Sequence, residues 1–132
     1  MRQELERKLV ERWPHWFDVQ GDIRKTLMPR GFQCGDGWFD LIQRLCERLE
    51  PLVSELTATL PFGKHFEVQQ VKQKFGGLRF YVSHRSAAID AEIAGASLDS
   101  QCTCEDCGHP GTLRKKDGWL VTLCDKCLNE GT

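Results

Sequence analysis

Two Cys-x-x-Cys pairs constrain this chain more than any other feature. Cys104 and Cys107 form the first pair, Cys124 and Cys127 the second, and sixteen residues separate them. A Cys-x-x-Cys turn aims two sulfurs at one point, and two such turns complete a tetrahedron. Thiolates match zinc in charge, softness and bond length, so the spacing predicts a four-cysteine zinc site. Four thiolates fill the coordination shell and leave no position for a catalytic water. The metal therefore reads as a staple for a tail too short to bury a core of its own.

The residues between the pairs fit that reading. Gly108-His109-Pro110-Gly111 is a turn-rich knuckle. Residues 112–115 and 119–122 pattern as a hairpin around Lys116-Asp117-Gly118, and a short helix is expected over 125–129. Knuckle, hairpin and helix in that order describe a treble clef, with a zinc ribbon as the alternative. The other cysteines stand apart. Cys102 is too close to Cys104 for the usual knuckle, and reads as a bystander thiol or a substitute ligand. Cys34 and Cys46 have no paired spacing, and Cys46 suits the core of an amphipathic helix. His109 reads as a turn residue. Seven cysteines is an odd count, and the charged N-terminal stretch lacks an apolar signal core. Both argue against a disulfide framework and for a cytoplasmic location.

The expected fold class is α+β: a small helical body over residues 1–100 and the zinc module over 101–132. Apolar residues make up 40% of the chain and charged residues 28%, which suits a globular body and argues against disorder. No apolar run is long enough for a membrane span. Helices are expected over about 2–12, 37–58 and 87–98. Pro14 ends the first, and the aromatic stretch after it can pack back onto that helix. Asp36 is the expected cap of the second, and Pro51 is expected to kink or restart it. Ser86 is the expected cap of the third. A hairpin is expected over about 66–83, with Gly76-Gly77 as its turn. In its first strand Phe66 and Val68 have the opposite parity to Val71 and Phe75, which predicts a β-bulge.

The formal net charge is −1, which argues against a basic nucleic-acid binder overall. The hairpin departs from that average. From residue 64 to 85 the bases are Lys64, Lys72, Lys74, Arg79 and Arg85, and the only acid is Glu67. Arg79 and Tyr81 share strand parity opposite Phe80. Lys72, Lys74, Arg79 and Tyr81, with Arg114, Lys115 and Lys116 of the second hairpin, are the candidate partner contacts. Such a surface can anchor a protein or meet phosphates and bases. The plainer reading is a solvated hairpin whose lysines protect an exposed edge. None of His15, His65, His84 and His109 falls in a metal-catalytic motif, and no phosphate loop is present. A non-enzymatic protein is expected.

Four runs together resemble a group of small bacterial and phage proteins of unassigned function. They are Cys34-Gly35-Asp36-Gly37-Trp38, the stretch from Gln70 to Tyr81 (QVKQKFGGLRFY), Cys104-Glu105-Asp106-Cys107-Gly108, and the stretch from Gly118 to Cys127 (GWLVTLCDKC). The resemblance covers roughly residues 34 to 127 and excludes Cys102. It implies a prophage or mobile-element context, and so an inhibitor, immunity protein or small regulator. The expected function is thus a zinc-containing protein that binds and blocks a macromolecular partner, such as a defence nuclease or a toxin. A nucleic-acid-binding regulator is the alternative.

Overall fold

The computed structural model of the chain describes residues 1–130, so the last two positions of the 101–132 segment lie outside the described residues. The fold is α+β. In chain order the elements are α1 (Gln3–Arg12), β1 (Phe32–Gln33), α2 (Phe39–Thr57), β2 (Val68–Lys74), β3 (Gly77–Val82), α3 (Ala87–Ser100), β4 (Thr112–Lys116), β5 (Trp119–Leu123) and α4 (Asp125–Glu130). β1, β2 and β3 form one sheet in that order, and β4 and β5 form a second. Among the described residues no helix is long and apolar enough to cross a membrane.

The body is organised around α2. Its apolar residues recur at three- and four-residue steps, and Leu41, Ile42, Leu45, Cys46, Leu49 and Val53 are buried along one face. Val68, Val71, Leu78 and Phe80 reach the same core from the sheet, and Ile89 and Ala96 reach it from α3. The aromatic stretch after α1 packs back as expected. Trp13 stacks on Trp16 at 6.0 Å, and Phe17 meets Phe32 and Phe80. Trp13 Nε1 donates to Glu50 Oε1 at 2.7 Å, which ties the end of α1 to α2.

The expected bulge is present: the β2–β3 register shifts between Val68 and Gln70. This is how Phe66, Val68 and Val71 are all buried despite their mixed parity. Ser86 caps α3, its hydroxyl accepting from the Ile89 backbone N–H at 3.2 Å.

Several local expectations need correction. The β2–β3 turn is Phe75-Gly76, one residue earlier than expected. Both residues have positive φ, 54° and 80°, while Gly77 pairs with Lys74 as the first residue of β3. Asp36 does not cap α2. It sits in a 3₁₀ turn, accepts from the Arg2 backbone N–H at 2.7 Å and pairs with the Arg2 guanidinium. α2 runs through Pro51 as one helix, so the proline does not restart it. Pro51 and Glu47 lie on its exposed face, where water can meet the carbonyl that proline leaves without a donor. β1 was not anticipated. Two residues are too short for a periodic signal, and Phe32–Gln33 pairs in parallel with Val71 and Lys72 only because the fold brings it there.

Candidate metal centre

The knuckle is a tight turn closed by Gly108 N–H donating to Cys104 O at 2.9 Å, with Gly108 at φ 82°. It presents Cys104 and Cys107. The β4–β5 hairpin turns at Asp117-Gly118, both at positive φ, and returns the chain to Cys124. Cys127 follows on the first turn of α4, and its backbone N–H donates to Cys124 Sγ at 3.4 Å. The four sulfurs of Cys104, Cys107, Cys124 and Cys127 all lie within 4.8 Å of one another, and this set can hold a metal ion. The cysteines are free thiols, and Cys107 and Cys124 Sγ are 3.7 Å apart, far beyond a disulfide bond.

The electrostatics ask for a cation. Burial of Cys104 favours its neutral thiol. Backbone donors at Cys124, Cys107 and Asp106 outweigh that burial and bring the thiol down to about 7. Cys127 moves the other way, held protonated chiefly by its hydrogen bond with Cys124 and by the nearby sulfurs. A cation among these sulfurs would favour the thiolate form of its ligands.

Cys102 is exposed and outside the cluster. Cys34 and Cys46 are buried in the body. Burial pushes the Cys34 thiol up to about 12 and moves Cys46 in the same direction.

The cysteine segment is seated on the body through main-chain contacts. Gly37 N–H donates to Glu105 O at 2.7 Å, and Trp38 Nε1 donates to Thr103 O at 2.9 Å. Glu105 Oε2 accepts from Gly35 N–H at 2.9 Å, and burial raises the pKa of this carboxyl. On the hairpin side, Thr122 Oγ1 donates to Gly76 O at 2.6 Å and Gln73 Nε2 to Leu120 O at 3.1 Å. Sequence reasoning did not anticipate Gly35, Gly37, Glu105 or Thr122 in this role. The Gly-x-Gly-Trp run was the available sign, because paired glycines permit close backbone approach.

The candidate partner contacts divide into four places. Lys72 lies opposite Arg79 on the outer face of the β2–β3 pair, and Lys72 Nζ is 5.9 Å from the Tyr81 ring centroid. Lys74 and Lys116 come together from different hairpins at one groove. Arg114 is engaged elsewhere, pairing with Asp125 at 2.9 Å and with Thr112 Oγ1. Lys115 is exposed on the opposite face of β4. Among the described residues, Lys72, Lys74, Arg79, Arg114, Lys115 and Lys116 are the only charged residues in the strands, and all are cations. α3, in contrast, carries Asp90, Glu92 and Asp99 and no cation.

Compared with family models, curated proteins and solved structures, the chain finds no match.

Proposed function

We propose that the chain is a zinc-stapled, non-catalytic binding protein whose partner is a protein. The observation that carries this reading is the closed four-sulfur cluster beside exposed hairpins. A tetrahedral zinc with bonds of about 2.3 Å sets its sulfurs about 3.8 Å apart. The 3.7 Å between Cys107 and Cys124 Sγ supports that fit. Cys104, Cys107, Cys124 and Cys127 hold the ion, which supplies cross-linking and charge neutralisation. The order of knuckle, β4–β5 hairpin and α4 carrying Cys127 favours a treble clef over a ribbon.

With four thiolates bound, the ion has no open position for a substrate or a water, so its role is structural. It fixes the β4–β5 hairpin against Gly76 and the knuckle segment against Trp38, and thereby orders a surface that a tail this short would not hold alone. The resemblance of its motifs to bacterial and phage proteins supports the reading that this surface serves an anti-defence or immunity role in the cytoplasm. A defence nuclease or a toxin is then the partner. The acid-free strands support a second reading, a nucleic-acid-binding regulator that meets phosphates with Lys72, Lys74 and Arg79.

One experiment separates these. The zinc-loaded chain is used to capture protein from a bacterial host extract, and the complex is rebuilt from purified components. The expected result is a stoichiometric protein complex that Arg79→Glu or Lys72→Glu weakens. Failure to rebuild any protein complex refutes the first reading. A gel shift that falls steeply with added salt would then support the second.

A further inference from the structure

The outer face of the β1–β2–β3 sheet carries cations, amides and an aromatic ring. Gln33 pairs with Lys72, Lys72 with Arg79, and Gln70 with Tyr81. These side chains therefore share the face opposite buried Phe32, Val71 and Phe80. Tyr81 is 42% exposed, and Lys72 Nζ lies 5.9 Å from its ring centroid. Gln70 Nε2 donates to Gln33 Oε1 at 3.2 Å, which sets two amides beside the ring.

Residues 22–27 raise one side of this face into a wall. Leu27 N–H donates to Gln69 O at 2.8 Å, and Thr26 Oγ1 donates to the same oxygen at 3.2 Å, so the wall is pinned to β2. Between wall and sheet lies a pocket of about 380 Å3, with Ile23, Lys25 and Thr26 on one side and Gln70 and Tyr81 on the other. Among the described residues no acid lines it. Asp22, next to Ile23 in the chain, is engaged by the Arg24 guanidinium. Lys25, Lys72 and Arg79 form no ion pair among the described residues. They leave unneutralised positive charge around the ring.

We propose that this face binds a single-stranded nucleic acid, with one base stacked on Tyr81 in the pocket and the flanking phosphates on Lys25, Lys72 and Arg79. The proposal rests on the second of the two readings above, and adds to it the kind of strand and a site for a base. Charge complementarity selects an anion, because the pocket and the strand residues around it hold cations and no acid. The lack of apolar area then selects among anions. Ile23 and Tyr81 are the large exposed apolar side chains here, and the core of a protein interface needs more than that. Cations interleaved with an aromatic ring and amides suit a strand, whose phosphates meet the charges and whose bases stack. A duplex keeps its bases stacked on one another and has no free face to offer Tyr81.

The test is fluorescence anisotropy of a labelled single-stranded oligothymidylate with the zinc-loaded full chain. Affinity is expected to fall roughly 20-fold for an about fourfold rise in salt, since three neutralised phosphates each release about 0.7 of a counterion. Lys72→Gln is expected to flatten that salt dependence by about one phosphate's share. Tyr81→Leu is expected to weaken binding about tenfold with the salt dependence unchanged, and Tyr81→Phe to restore it. Lys8→Gln, on the exposed side of α1, is expected to change nothing. Zinc content and circular dichroism verify that each variant is folded. Equal binding by the parent and Tyr81→Leu overturns the base site, and so does tighter binding of a duplex of the same length. Both outcomes leave the nucleic-acid reading standing. Labelled polyglutamate bound more tightly than the single strand assigns the face to an acidic protein and overturns the proposal. Absence of any nucleic-acid complex at low salt overturns the proposal together with the reading it rests on.

Discussion

At Gly37 a methyl group has no room. A Cβ there would lie 2.2 Å from Cys104 O and 2.6 Å from the Gly108 nitrogen, both main-chain atoms that cannot swing aside. Gly37→Ala is therefore expected to destabilise the fold by about 2–4 kcal/mol and to loosen the knuckle. Gly95→Ala meets open space within α3 and should stabilise by roughly 0.5–1 kcal/mol. Urea unfolding of the two variants reads this contrast, and equal effects would dismiss the close-packing argument. Thiol chemistry gives a second test at this scale. With metal bound, a thiol-reactive dye should label Cys102 alone. Chelation should add Cys104, Cys107, Cys124 and Cys127, while Cys34 and Cys46 stay silent until the body unfolds. Early labelling of Cys127 in the metal-loaded protein would argue against its role as a ligand.

Among the elements, the β2–β3 hairpin shows both what sequence makes legible and what it does not. Alternation of Leu78, Phe80 and Val82 marks a strand, and broken parity between Val68 and Val71 marks the bulge. Both signals are local. Gly76-Gly77 is locally the more permissive pair, yet the turn forms one residue earlier, at Phe75-Gly76. That choice is made by tertiary context, since Gly76 packs beneath the second hairpin and a Cβ there would lie 2.3 Å from Leu113 Cδ1. The cysteine cluster was legible because ligand spacing is itself local. Its seat was not, because Gly35, Gly37 and Trp38 meet Glu105 and Thr103 across some seventy residues of chain. β1 escaped notice for the same reason. One consequence is testable at this scale. Phe75→Asn suits a left-handed turn position and is expected to raise stability by about 0.5–1 kcal/mol. A melting curve that moves down instead would mean that Phe75 supports the fold rather than an interaction.

Across the whole molecule, the apolar core and the cysteine cluster are separate sources of order. The main core cluster runs from Leu9 to Ala96 and includes no residue of the cysteine segment. Removing the metal is thus expected to release residues 104–127 while the body keeps most of its helix. Hydrogen exchange would then rise first in β4 and β5, and loss of the entire helical circular dichroism signal would contradict the separation. The same scale shows how charge is laid out. The charged residues of the strands are all cations, and Lys72 and Arg79 lie on the face of the β2–β3 pair opposite the core. With a formal net charge of −1, the molecule is nearly neutral as a whole, while its strands carry six cations and α3 carries three acids. Such a molecule turns in the field of a charged surface before it touches it. It should be retained at low salt on both anion and cation exchangers, and it should meet any charged partner already facing the right way.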